Sequence, residues 1–289
     1  MGESTKGVLL AFFGILVLSP DSLLIRSITV DTWTLVFWRG AFMAAGLGIC
    51  LVLIYRGGLV EAFRVMGWPG FGASLVMAVG TLIFVLAIRT TSVANTLIIV
   101  GISPLIAALL SRLWLGERVA FRTWLAIGAA MLAVYVTISE NVVSGNWVGD
   151  AYAGGAAIHV ALHVVLARKA KEVSLVPSVA VGGFLVSLMV VWKSTPMAVS
   201  TTDMLLLALL GAVLLPAALS LLVLAPRYIS APEVSLIKLL EMILGPTWVW
   251  LVLGENPGRA AMIGGAILIT TLILHTVVGI RDSDTPVAS

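Results

Sequence analysis

The sequence predicts an all-α membrane protein of ten transmembrane helices, arranged as two inverted-topology five-helix repeats. Three observations predict it. The chain of 289 residues is 60% hydrophobic and only 11% charged, with a mean hydropathy of +1.13, whereas soluble domains carry about 25% charge; a soluble globular protein is excluded. Ten apolar runs follow one another, most of them near the ~20 residues that cross a bilayer as helix. The chain also repeats itself: laid over Leu222–Glu255 without gaps, Phe84–Glu117 matches at ten of 34 positions, among them Ala87/Ala225, Arg89/Arg227, Ser92/Ser230 and the closing Leu-Gly-Glu at 115–117 and 253–255. Five spans per copy is an odd number, so the second copy enters the membrane from the opposite side.

Span 1, about 7–25, follows Lys6 as a signal peptide would, yet Pro20, Asp21 and Arg26 stand where a small-residue cleavage site should be, so it is kept as a helix. Span 2, about 33–55, offers Gly40, Ala44 and Gly48 at every fourth position, the spacing that lets helix backbones approach. It also holds Cys50, the single cysteine, which leaves neither a disulfide framework nor a thiolate metal site within one chain. Spans 3 to 5 fall at about 68–88, 92–115 and 121–139, and the polar stretch Ser139–Asp150 then divides the chain into halves 1–143 and 144–289. Span 6, about 148–168, repeats the small-residue spacing at Ala153, Ala157 and Ala161. Spans 7 to 10 fall at about 176–192, 203–225, 232–253 and 258–280. An offset of 142 extends the repeat by placing Gly7 on Gly149, Arg26 on Arg168 and Gly40 on Gly182. Connections such as 89–91, 116–120 and 254–257 are too short for an extramembrane domain. Pro20, Pro104, Pro216 and Pro246 lie inside spans, where each removes a backbone bond and kinks or breaks its helix.

Orientation follows from Lys and Arg near short loops. With the N-terminus inside, ten basic residues fall on the cytoplasmic side (Lys6, Arg56, Arg64, Arg118, Arg122, Arg168, Lys169, Lys171, Arg227 and Arg281) and four outside (Arg26, Arg89, Lys193 and Arg259). Both termini are therefore expected in the cytoplasm, and the net charge of +3 reflects orientation rather than a nucleic-acid partner. Trp33, Trp68, Trp114, Trp124, Trp147 and Trp192 sit near span ends as interfacial anchors. Trp38, Trp248 and Trp250 lie deeper, where they either anchor packing or floor a cavity.

A charge at the bilayer centre costs at least ~2.5–3.5 kcal/mol, so ionisable groups there face a cavity or a partner. The deepest are Asp21, Arg39, His159, His163, Lys238 and Glu241. Lys238 and Glu241 share one face of span 9, either as a closed buried pair or as separate groups holding a substrate carboxylate and an amine or proton. Asp21 and Arg39 lie at comparable depth on adjacent spans, placed for an ion pair of structural or gating use. His159 and His163 are an i, i+4 pair, but no local third ligand makes them a metal site; they form a polar wall or are satisfied by a neighbouring helix. His275 is interfacial. No cofactor is implied. The phosphate loop, the G-x-S-x-G elbow and a twin-Asp pattern are all lacking from the sequence, which argues against an ATP-driven pump and against an enzyme. Inverted repeats are the usual build of a secondary transporter.

Span 4 ends Ser-Pro-Leu-Ile-Ala-Ala-Leu-Leu-Ser-Arg-Leu-Trp-Leu-Gly-Glu-Arg (103–118). With its ten spans and paired Leu-Gly-Glu motifs, the chain resembles the EamA-type branch of the drug/metabolite transporter superfamily over essentially its whole length. It departs at Met242, where the second half commonly has proline, so that a kink there is expected from Pro246 instead. The resemblance implies a metabolite transporter of the cell inner membrane, with a cavity lined by spans 1, 3, 4, 6, 8 and 9, and export of amino acids or related amphipathic compounds. An uptake permease of the same fold, or a non-transporting scaffold or sensor subunit, is the alternative. Substrate-binding candidates are Asp21, Asn95, Pro104, His159, Lys238 and Glu241; coupling or gating candidates are Glu241, His159, Arg39 and His163, with protons as the candidate coupling ion. The resemblance favours the first set over Arg39, whose span is more peripheral in the family. Glu117 and Glu255 are read as structural, Arg89 and Arg227 as pins of span ends, with Arg227–Glu233 a candidate gate pair. Two complete halves make a monomer sufficient.

Overall fold

A computed structural model describes residues 2–91, 93–141, 147–254 and 258–284. Ser92, Glu255 and the middle of the 139–150 boundary lie outside them. Every extended element is helical: α1 (Glu3–Leu18), α2 (Asp21–Ser27), α3 (Thr32–Tyr55), α4 (Leu59–Thr90), α5 (Val93–Val100), α6 (Ser103–Trp114), α7 (Phe121–Asn141), α8 (Trp147–Lys169), α9 (Val176–Val190), α10 (Thr201–Ala208), α11 (Leu215–Leu224), α12 (Ala231–Lys238), α13 (Glu241–Leu253) and α14 (Gly258–Asp284). Among the described residues, six stretches are long and apolar enough to cross a bilayer, one of them the 59-residue Thr32–Thr90 that holds both α3 and α4. Phe121–Val136, Val176–Val190 and Met262–His275 are shorter apolar helices. The protein is a multi-pass membrane protein, and its outward apolar side chains, Leu53, Trp68 and Trp192 among them, match a lipid surround.

Several apolar runs are interrupted. Ser19-Pro20 separates α1 from α2, Gly101-Ile102 separates α5 from α6, and Leu239-Leu240 separates α12 from α13, while a π-helical segment, Leu209–Leu214, joins α10 to α11. Three of these interruptions come with a proline: Pro20 is the N-cap of α2, and Pro104 and Pro216 lie in the first turns of α6 and α11. At Pro20 and Pro104 the missing N–H is one that would be unbonded in any helix start, whereas Pro216 directly follows the π-helical turn, whose widened ladder accommodates it. The fourth does not follow the expectation. Pro246 lies inside α13, which runs on to Leu253, and the interruption falls at 239–240 instead. A helix end at that point suits the charges beside it, since Lys238 occupies the last turn of α12 and Glu241 the first turn of α13, each matching the sign of the dipole it meets.

Helix boundaries follow the sequence offset around the matched motif. α12 begins and ends 138 residues after α5, and α13 begins 138 residues after α6. α3 packs on α9, α7 on α14, α6 on α12 and α5 on α13, while α4 packs on α8 and α1 on α11. Exchanging each helix for its sequence counterpart leaves this set of neighbours unchanged. At the α3–α9 crossing the backbones nearly touch: a Cβ added at Gly40 would stand 2.6 Å from the Gly183 carbonyl oxygen, and one at Gly183 would stand 2.8 Å from that of Gly40. Of the expected row on α3, Gly48 meets no atom within 4 Å, so the close-packed part stops at Ala44. Ala153, Ala157 and Ala161 are all buried, as their spacing on α8 requires.

Candidate functional site

Asp21 and Arg39 form a buried, bidentate pair. The residues are 2% and 5% exposed; Arg39 Nη2 donates to Asp21 Oδ2 at 2.8 Å and Nη1 donates to Oδ1. The parallel fork fixes α2 against α3 and gives each buried charge its counter-ion. Arg39 is thus fully interior, held where Pro20 starts α2.

Lys238 and Glu241 do not close on each other. Among the described residues no ion pair or hydrogen bond engages either side chain. Both stand on the wall of a small cavity of about 30 Å³. Phe84 of α4, Val160 of α8, and Val100 and Ser103 at the α5–α6 interruption complete its main walls. Val100 and Ser103 are the positions that the 138-residue offset pairs with Lys238 and Glu241. Equivalent positions of the two halves therefore meet at one cavity, and its charge comes from the second half alone. The interruptions also leave backbone groups without helical partners beside it.

α13 lies against the α1–α2 interruption. Trp248 Nε1 donates to Ser19 Oγ at 2.9 Å, and a Cβ at Gly245 would stand 3.0 Å from Ser22 Oγ. Glu241 is one turn before Gly245 on the same face, and Asp21, Lys238 and Arg39 are its electrostatic neighbours. On α8 the His159 ring fills the space that Gly80 leaves open, since a Cβ there would fall 1.9 Å from its Cδ2. The His159 and His163 rings are 6.0 Å apart, and Lys238 lies in electrostatic range of both. Both ring nitrogens of His159, and Nε2 of His163, are buried without a hydrogen-bond partner. Among the described residues no three His, Cys, Asp or Glu side chains converge as a metal site. What the arrangement presents is a small interior space between four helix ends, apolar on most sides, with an ammonium and a carboxylate at its edge.

Residues 5–139 match the EamA-like transporter family. That match points to a membrane transporter, with a small-molecule substrate and a lipid environment. In all, 29 chains of solved structure resemble the protein. One, described simply as the crystal structure of a protein, matches with a TM-score of 0.78 at 16% identity, over 96% of this chain and 99% of that one. At that identity the likeness is one of fold. No curated protein matches the sequence.

Of the candidates, Lys238 and Glu241 line the cavity, whereas Asp21, Arg39, His159, His163, Pro104 and Asn95 are not among its wall residues. Pro104 is buried in the first turn of α6 in the EamA-like segment; at its counterpart Met242, which does line the cavity, the interruption persists without proline. Asn95 donates to Thr91 Oγ1 at 3.1 Å and to Asp150 Oδ1. It ties α5 of the EamA-like segment to the start of α8, and it is not among the residues of the cavity wall. Trp38 donates to the Pro196 carbonyl, and Trp250 lies in an outer groove beside α14, so neither floors the cavity. Arg89 donates to the carbonyls of Ile28 and Val30 at 2.8 and 3.3 Å, pinning the end of α4. Glu233 is taken by Ser230, whose N–H it accepts at 2.9 Å in a capping box, and by Arg122 at 3.6 Å. The expected pairing with Arg227 is replaced by these.

Sequence reading missed three bridges between the halves. Arg168 donates from Nε to Glu117 Oε1 at 2.7 Å and from Nη1 to the Pro226 carbonyl at 2.9 Å. Asp203 accepts from Thr29 N and Oγ1 at 3.0 and 2.6 Å. Asp31 caps α3 by accepting from the N–H groups of Trp33 and Thr34, and accepts from Thr195 across the halves. Burial pushes the Asp31 carboxyl up, but the hydrogen bonds from Thr34, Trp33 and Thr195 outweigh it and hold the group below its ordinary value. The N-cap was legible in Asp31 just ahead of an apolar run; the long-range partners had no local signal.

Proposed function

We propose that the protein is a secondary transporter that carries small metabolites across the inner membrane by alternating access, exporting amino acids or related amphipathic compounds, with Glu241 as carrier of an exchanged proton. In this reading the ten apolar runs are ten spans, residues 1–143 and 144–289 are inverted five-helix repeats, both termini are cytoplasmic, and one chain suffices. The observation that carries it is the open disposition of Lys238 and Glu241 on a cavity bounded by the interrupted helices α5–α6 and α12–α13. A scaffold would gain from closing that pair, because unpaired buried charge is costly. A transporter has a use for keeping it open, since a substrate with a carboxylate and an amine then replaces the ion pair. Asp21 and Arg39 hold the neighbouring α1–α2 interruption, His159 and His163 supply polar groups behind Lys238, and Pro104 and Asn95 set α6 and α5. The relation of α5–α6 to α12–α13 at one constant offset, and the exchange-invariant neighbours, support the repeat.

The test is flux of a labelled amino-acid panel into liposomes, with and without a proton gradient, for the wild type and Glu241→Gln. Gradient-sensitive flux that is lost in the variant is the expected result. No flux of any panel member by well-folded wild type overturns the amino-acid assignment, and flux indifferent to both gradient and variant overturns the role of Glu241.

A further inference from the structure

We infer that His159, His163 and Lys238 together form a subsite for the carboxylate of an amphipathic small molecule, with Glu241 across the helix interruption facing its cationic end. This deepens the proposed function and rests on reading the cavity as a substrate cavity.

Three donors on two packed helices lack acceptors. His159 and His163 are one turn apart on α8, and α12, which carries Lys238, packs against α8. Both ring nitrogens of His159 and Nε2 of His163 are buried and unpartnered, His163 being 8% exposed. A buried donor left unbonded loses its hydration without recompense, so a cluster of them marks a place where an acceptor is meant to arrive. The nearby acids do not serve. Asp21 is engaged by Arg39 through both oxygens, and Glu241 begins α13 on the other side of the interruption. Lys238 also decides the sign of the ligand: an ammonium in range of both rings repels a metal cation and attracts an anion. A carboxylate has about four lone-pair sites and accepts from an ammonium and imidazole N–H groups alike. The cavity wall beside Lys238 is apolar, with Phe84, Met242 and, next to the two histidines on α8, Val160, a surface suited to a hydrocarbon body; the imidazoles lie behind that wall.

The orientation is thereby fixed, with the anionic end toward α8 and α12 and the cationic end toward α13 and α2. Gly80 is a positioning residue for this subsite, because only an absent side chain leaves room for the His159 ring.

The test uses the full chain in lipid nanodiscs with isotope-labelled histidine. The chain has three histidines, so His159→Phe and His163→Phe assign the imidazole resonances, with His→Gln variants where a Phe variant does not fold. His275, whose Nε2 lies 3.3 Å from Thr123 Oγ1, is the internal reference. Isocaproate, which has a carboxylate and no amine, is expected to move the His159 and His163 signals and leave His275 in place. Its affinity should fall about tenfold or more in Lys238→Met, the scale of a lost hydrogen bond to a charged group. Isopentylamine, with an amine and no carboxylate, should leave the imidazoles unmoved and lose its binding in Glu241→Gln. Unmoved imidazoles with isocaproate, equal shifts at all three histidines, or the same response to the amine each overturn the subsite. Liposome flux separates the two readings: amino-acid flux with silent imidazoles removes the subsite and leaves transport standing, whereas carboxylate shifts without flux do the reverse.

Discussion

At the scale of single residues, the Asp21–Arg39 fork is the contact whose loss is most exposed to measurement. Removing one partner leaves the other charge buried alone, a loss of about 3–5 kcal/mol in comparable pairs. Asp21→Ala and Arg39→Met are each expected to lower the thermal midpoint of the purified protein sharply, and the double variant to be less destabilised than the two singles added together. Strict additivity would show that the two side chains act independently. Asp31 gives a pH prediction. Its carboxyl is held below the ordinary value by the N-cap bonds, so the bonds favour the charged form, and the stability they add is present above the unfolded value and lost as pH falls through the folded one. Protection of the Trp33 and Thr34 amides, taken as the slowing of exchange relative to an unstructured amide at the same pH, should therefore fall in acid in the wild type, and Asp31→Ala should show low protection at neutral pH already. Equal protection in wild type and variant would remove the cap from the account.

At the scale of elements, the α3–α9 crossing separates positions that sequence spacing treats alike. Gly40, Ala44 and Gly48 share one row, yet Gly40 sits on the Gly183 carbonyl and Gly48 faces open space. Gly40→Val should destabilise by the roughly 1–3 kcal/mol of overpacking or more, and Gly48→Val should stay within ~0.5 kcal/mol; thermal midpoints of the two variants compare them directly. The interruptions teach a related lesson. Pro20, Pro104 and Pro216 forecast three of them, because a proline's missing donor and fixed φ act locally. Pro246 does not mark the break: α13 runs through it to Leu253, and the interruption falls at 239–240, between Lys238 and Glu241.

At the scale of the whole molecule, the halves are joined by broad helix packing and by a series of polar bridges. Arg168–Glu117 is partly exposed and belongs to the class of ion pairs that contribute up to about 1 kcal/mol. Glu117→Arg is expected to lower the unfolding midpoint modestly, and the swap Glu117→Arg with Arg168→Glu to recover part of it; a swap no better than the single variant would show the bridge to be incidental. This bridge also marks what the sequence could tell. Hydropathy and the internal repeat made the helical membrane fold legible, and cost of burial singled out Asp21, Arg39, His159, His163, Lys238 and Glu241 before any coordinates. The Asp21–Arg39 pair was legible from equal depth on adjacent spans, and the structure forms it; the open Lys238–Glu241 arrangement and the Gly80–His159 fit were not, since they depend on helices brought together from distant parts of the chain. Asn95 is a candidate by resemblance, and its bond to Asp150 at a junction of helix ends had no signal in the sequence.

The crossing of α3 over α9 has a mechanical meaning as well. Interlocked side chains act as gear teeth, and turning one helix over another then requires each tooth to change rotamer. Where Gly40 and Gly183 meet, the tooth is missing on one side of each contact, and Val186 and Ser187 of α9 and Met43 of α3 close in on the bare backbone opposite. Such a point is a socket: it sets how closely the two helices approach, and a side chain at either glycine would wedge them apart.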